Sequence, residues 1–204
     1  MTQIKLTKNE LRDQQRKRDQ LMRYLPTLQL KKALLQTEVG MADSQLEKAQ
    51  NEAAAAKQKV TQSQSLLTHP SAYLLTDYTH IKNVKTHLEN IAGVEVPHFD
   101  TVDFTPADYH LFDTPFWFDQ ALADLRALLA KHEEIKVIEQ KKALLEKELR
   151  DVSIRVNLFE KILIPRCDAN IKKIKIFLGD QQLAAVAQAK VAKTKIEIRK
   201  KEVA

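Results

Sequence analysis

Glycine is nearly missing from this chain: 204 residues hold three, at positions 40, 93 and 179. A loop that cradles phosphate on clustered glycines is therefore excluded, and with it direct handling of a nucleotide by a Walker-type site. Cysteine occurs once, as Cys167, so there is no internal disulfide, and a lone thiol reads as a small core residue. No stretch approaches the roughly 18 apolar residues of a membrane span. The opening Met1-Thr-Gln-Ile-Lys-Leu-Thr-Lys lacks the apolar core of a signal peptide, so a soluble cytoplasmic protein without membrane insertion is expected. The six histidines, at 69, 80, 87, 98, 110 and 132, lack His-x-x-x-His spacing and there is no Cys-x-x-Cys, so no metal or other cofactor is expected. Asp100, Asp103, Asp108, Asp113 and Asp119 read as helix caps and solvated loop charges. No nucleophile, metal or phosphate constellation points to an enzyme.

What the chain does contain is heptads. Stepping alternately three and four residues from Leu11 gives Leu11, Gln14, Arg18, Leu21, Leu25, Leu28, Lys32, Leu35, Val39, Ala42, Leu46, Ala49, Ala53, Ala56, Val60, Ser63 and Leu67, of which 13 are apolar. A repeat of 3.5 residues per turn keeps one narrow seam against a partner and marks a left-handed coiled coil. From Ile4 to Leu67 the helix would be roughly 95 Å long. Pro26 lies within it, and because the heptad phase passes through unbroken, a kink is expected there and not an end. The Ala49–Ala56 stretch predicts close approach to a second helix, with Ile135 and Ile138 as neighbours.

Residues 69–117 are different, holding four of the six prolines and five of the six histidines. The helix should stop before Pro70. Alternation at Val84, Thr86 and Leu88, a break at Ala92-Gly93, and alternation again to Pro97 predict a hairpin over 82–97, although Ile81, Val84, Leu88 and Ile91 also fit a helical face. Thr105-Pro106-Ala-Asp108 and Thr114-Pro115 both read as helix starts. Phe116-Trp117-Phe118 fits either core packing or a partner contact.

A second repeat runs through Leu128, Lys131, Ile135, Ile138, Lys142, Leu145, Leu149, Val152, Val156, Phe159 and Leu163. Pro165 should bend the helix, after which the seam moves by one residue to Ile164, Cys167, Ile171, Ile174 and Leu178. A thinner continuation follows at Ala184, Ala187, Val191, Thr194 and Ile198. The expected fold is all-α dominated: a long antiparallel two-helix coiled coil with a small central globular segment of short helices and a β-hairpin. Its parts would be a helix over 1–68, a compact foot over 69–117 and a second helix over 118–204 that overhangs the first by roughly 20 residues. Residues 1–32 carry nine Lys/Arg against three acids, and residues 190–204 carry six against two. Folding back would gather these charges at one basic tip of a rod.

Three segments carry a resemblance. Arg155-Val-Asn157-Leu-Phe-Glu160 with Ile164-Pro165 resembles the R-V-N-x-L-E … I-P signature of the D subunits of V- and A-type ATPases. Asn90-Ile-Ala-Gly93-Val-Glu-Val-Pro97 is similar to that family's N-x-x-G-V-x-x-P segment, and Leu6-Thr-Lys8-Asn-Glu-Leu11 to its T-K-x-x-L beginning. The tail from Asp180 and Pro26 depart from the family pattern. The resemblance implies a non-catalytic central rotor shaft within a hexamer of A and B subunits. Its lower part would be bound by the F subunit and its foot seated on the C (also called d) subunit, above the membrane ring and peripheral to the membrane's cytoplasmic face. Lys8, Leu11, Gly93, Pro97, Arg155, Asn157, Glu160 and Pro165 become the candidate structural or partner-contact residues. Arg155 and Asn157, in or beside the seam, would either fix register as buried polar groups or touch a partner.

Two other readings fit the residues alone. A basic-tipped coiled coil can bind nucleic acid by releasing phosphate counterions, though lysines on long helices are more often a solvated face and no nucleic acid is expected here. A passive scaffold fits equally, since torque transmission leaves no residue signature apart from stiffness.

Overall fold

The computed structural model describes residues 4–63, 72–109 and 114–202, the last three without their side chains. The order of elements is α1 (Lys8–Gln62), α2 (Tyr73–Tyr78), β1 (Ile81–Ile91), β2 (Val94–Phe104), α3 (Phe118–Leu158), a π-helical turn (Phe159–Leu163) and α4 (Ile164–Glu202). The long N- and C-terminal helices and the central antiparallel hairpin are those expected. The chain divides into two units, Lys31–Val152 and Met1–Leu30 with Ser153–Ala204.

α1 opens on a side-chain cap. The Thr7 hydroxyl accepts from the Glu10 amide at 3.3 Å, the Leu11 amide donates to the Thr7 carbonyl, and Glu10 sits at the third helical position. The family-like Thr-Lys-x-x-Leu opening is thus a helix start followed by the first seam residue, with Lys8 exposed in the first turn. The helix passes through Pro26 without a break and ends at Gln62. Leu67 and Pro70, on which the expected end rested, lie outside the described residues. Every described seam position from Leu11 to Ser63 is buried or half-buried, including Gln14, Arg18 and Lys32, whose aliphatic stems cover the seam.

In the unit Lys31–Val152, α1 and α3 run antiparallel. Ion pairs mark the register: Lys31 to Glu148 at 2.7 Å, Asp43 to Lys142 at 2.6 Å and Glu52 to Lys131 at 2.6 Å. Between them the core holds Leu35, Ala42, Ala49, Ala53, Val137 and Leu145, all buried. Of the residues expected to meet there, Ala49 lines a common cleft with Val137 and Ile138, and Glu52 reaches Lys131 across the pair.

The hairpin covers Ile81–Phe104, longer than the 82–97 expected. Its two-residue turn puts Ala92 at φ 52° and Gly93 at φ 82°, the left-handed pair that matches strand twist. The Asn90 side chain accepts from the Gly93 amide at 2.9 Å, which explains the Asn-x-x-Gly spacing. Thr105 does not start a helix; its amide and hydroxyl both bond the His80 carbonyl and close the hairpin's base. Thr114-Pro115 precedes the second long helix by a turn, with the Phe118 amide on the Pro115 carbonyl. Arg126 clamps this region to α3. Its guanidinium donates to the carbonyls of Tyr78 (2.8 Å) and Thr105 (2.7 Å) and lies over the Phe104 ring.

A small core beside the clamp joins Leu75 of α2 to Phe118, Ala121 and Leu122 of α3, with Tyr78 and Tyr109 packed on Phe118. The Phe-Trp-Phe run therefore divides: Phe118 is fully buried, whereas Phe116 is 99% exposed.

In the unit of residues 1–30 and 153–204, α1 and α4 are again antiparallel, through Arg18 to Asp168 at 3.7 Å and the Asn170 amide to Gln14 at 3.4 Å. Val156, Cys167, Ile171 and Ile174 are buried. Between the first and the rest stands the π turn, where the Ile164 amide donates to the Phe159 carbonyl five residues back. One extra residue in that turn widens the helix where Pro165 would otherwise clash with a carbonyl one turn earlier. The same extra residue moves the seam by one position, as the sequence pattern required.

Candidate partner interfaces

Residues 181–199 of α4 are exposed without exception, Leu183 at 72%. Leu183, Val186, Val191, Ile196 and Ile198 stand among Lys190, Lys193, Lys195 and Arg199, giving a helix both apolar and basic. Helices with apolar side chains exposed over several turns are ordinarily covered by something. The sequence placed a thin seam here at Ala184, Ala187, Val191, Thr194 and Ile198; all five are exposed, so the repeat has no partner among the described residues.

Upstream in the same unit, Ile154, Leu158 and Ile162 form an exposed apolar stripe at four-residue spacing. Arg155 and Asn157 lie beside it and are exposed, as are Glu160 and Pro165. Exposure removes the buried, register-fixing role considered for Arg155 and Asn157; the polar groups within the interface are instead Gln14, Arg18 and Asn170. Arg18 is held more firmly protonated by the Asp19 carboxylate first and Asp168 second.

On the other unit the hairpin lies along the helix pair. Pro97, His98 and Phe99 face Gln45, Ala49 and Glu52 of α1 and Val137, Ile138 and Lys141 of α3 across a cleft of about 270 Å³. Gly93 sits where an added Cβ would come within 3.9 Å of the Lys31 ammonium. Ion pairs line this side of the helix pair. Lys131 is pushed up by the hydrogen bonds it donates to Glu52 and Glu134, Glu52 is correspondingly lowered by Lys131, and Lys142 is raised chiefly by Asp43. Tyr109 donates to the Asp119 carboxylate, which raises the phenol.

Three features escaped the sequence reading. Arg126 gave no sign of its clamp, since its partners are backbone carbonyls. Asp100 and Asp103, read as loop charges or caps, are strand residues paired with His87 at 2.8 Å and Lys85 at 2.8 Å. The hairpin also brings His98 against His87, so that candidate ligand atoms of His87, His98 and Asp100 all lie within 4.8 Å of one another. Mirror symmetry about Ala92-Gly93 already pairs positions 87 and 98, a signal that counting spacings along the chain misses. No described helix is long and apolar enough to cross a membrane.

Comparison with known proteins identifies the family of the chain. A family model for the D subunit of ATP synthase matches residues 10–194. The V-type ATP synthase D subunit of Chlamydia pneumoniae is 43% identical over 202 residues, covering 97% of this chain and 95% of that protein. The V-type ATP synthase D subunit of Borreliella burgdorferi is 38% identical over 196 residues, with 96% of each chain covered.

Proposed function

This chain belongs to the D-subunit family of ATP synthases, and from that premise we propose that it is the central rotor shaft of a V/A-type ATPase. It carries torque between a catalytic hexamer of A and B subunits and the ion-translocating ring, without chemistry of its own. The observation that carries this reading is the uncovered stretch 181–199, whose apolar and basic side chains suit a sleeve supplied by other proteins of the complex. A pair of helices has no threefold symmetry, so it presents a different face to each of three catalytic interfaces and biases each toward a different state. The Ile154–Leu158–Ile162 stripe with Arg155 and Asn157 suits the F subunit, and the segment around Phe116 suits the C/d adaptor, on the cytoplasmic side of the membrane.

The test is reconstitution of A, B and F subunits from the same source with this chain, reading rotation-coupled ATP hydrolysis. Full-length chain should assemble and rotate. A chain ending at Gly179 should still bind the F subunit but lose torque against the hexamer. Failure of the full chain to enter any complex would sink the proposal, and salt-sensitive nucleic-acid binding in its place would favour the basic-tip reading.

A further inference from the structure

We propose that the hairpin carries a binding site for a borderline divalent cation of the zinc class, formed by His87 and His98 with Asp100. Strand register puts His87 directly opposite His98, their rings 4.8 Å apart between centroids and tilted by 30°. The third group arrives through an irregularity. Lys85 pairs with Thr101 and Thr86 with Phe99, so Asp100 is an additional residue on β2 without a partner opposite. Such bulges re-aim a side chain, and here the Asp100 carboxylate reaches the His87 ring.

The hydrogen bonds prepare both rings as ligands. With Nδ1–H of His98 donating to the Phe99 carbonyl at 3.0 Å, its Nε2 carries the free lone pair. His87 has the same arrangement with Asp100 as the acceptor at 2.8 Å, the carboxylate–histidine pairing that orients a metal-bound imidazole and raises its basicity. An ion binding at about 2.0–2.1 Å from each nitrogen draws together rings that already face each other across the strands, with ligand atoms of the three residues within 4.8 Å of one another. Imidazole donors favour zinc, nickel, cobalt or copper over magnesium or calcium. All three side chains are exposed, so the ion enters directly from solvent and keeps open coordination positions. Because its ligands come from both strands, the bound ion cross-links the hairpin.

The experiment uses the full, tag-free chain titrated with zinc by calorimetry and with cobalt by visible absorption. One site is expected. Binding should weaken by about tenfold or more in His87→Asn and in His98→Asn, and by a smaller factor in Asp100→Asn, where the orienting carboxylate is lost. His132→Asn, on α3, serves as the control and should bind as the parent does. Paramagnetic broadening by cobalt should reach the ring protons of His87 and His98 before those of His132, and cross-strand amide contacts confirm that each variant keeps its hairpin. Undiminished binding in the His87→Asn/His98→Asn double variant, or no binding up to roughly 100 μM zinc, overturns the proposal.

Discussion

Residues 164–178 and 181–199 lie on one continuous helix and carry apolar residues at the same heptad spacing, yet their surroundings are opposite. In the first stretch Cys167, Ile171 and Ile174 are buried against α1; in the second every side chain is exposed. A heptad belongs to a single helix, whereas burial requires two, and α1 starts only at Lys8. The exposed stretch can remain helical because its nucleus is already formed by the paired turns before it, and Ala, Gln and Lys extend a helix cheaply. Its apolar positions are also smaller, alanines at 184 and 187 where the paired stretch has isoleucines. One helix thus contains both an internal seam and an outward face.

The most severe way to break this comparison is truncation at matched positions. Ile174→Ala should cost about 2–5 kcal/mol in urea unfolding followed by circular dichroism, since Ile174 is wholly buried. Val191→Ala should stay within about 0.5 kcal/mol in the isolated chain. If both lowered stability equally, 181–199 would be covered within the chain itself. A second contrast replaces apolar pairing by polar. Arg126→Met removes bonds to the Tyr78 and Thr105 carbonyls and should cost about 2–3 kcal/mol, loosening the hairpin base while the helix pair persists. Amide exchange at Thr105 against that at Leu145 separates the two effects.

The seams were legible because burial in a helix pair follows a fixed period. Every described position counted out from Leu11 is at least half-buried, and the one-residue phase change near Pro165 foreshadowed the π turn. Where contacts join residues through backbone carbonyls or across a turn, periodicity has nothing to say. Thr105-Pro106 has the composition of a helix start, yet its hydroxyl and amide are taken by the His80 carbonyl. Phe116 and Phe118 have the same chemistry, two positions apart, and only the presence of Leu75 and Tyr109 decides which is inside. Arg155 and Asn157 were legible as a motif but not as a surface, because they lie next to the buried seam residue Val156 in the sequence and periodicity alone did not say on which side of the seam they fall.

A smaller perturbation tests where the paired stretch stops. Thr7→Ala removes the cap on α1 and should cost about 1 kcal/mol, fraying the turns near Leu11. By the register of Gln14 with Asn170, those turns face the last buried residues of α4. Exchange should therefore quicken near Ile174 and not near Leu145. Protection unchanged at Ile174 would mean that α1's first turn contributes nothing to the seam's end.

The smallest expected effect is on pH dependence, and it separates paired from unpaired helix by charge. Glu52 has its carboxyl lowered from about 4.5 by the Lys131 ammonium, and Lys131 is raised above about 10.5, chiefly by Glu52. A lowered carboxyl contributes stability that is complete above its ordinary value and is lost as pH falls through the folded one; the raised amine's share is lost only as pH climbs past its own folded value. The pair should thus hold across the neutral range and fail in acid, where the melting temperature of the parent drops. Glu52→Gln should lower the neutral melting temperature slightly and flatten the acid limb, because the amide has no proton to take up. In 181–199 the ion pair among described side chains is Lys193 with Glu197, at 3.9 Å and well exposed, so Glu197→Gln should leave both the melting temperature and its acid limb unchanged. Equal flattening by the two variants would show that the acid limb reports general charge and not the bridge between α1 and α3.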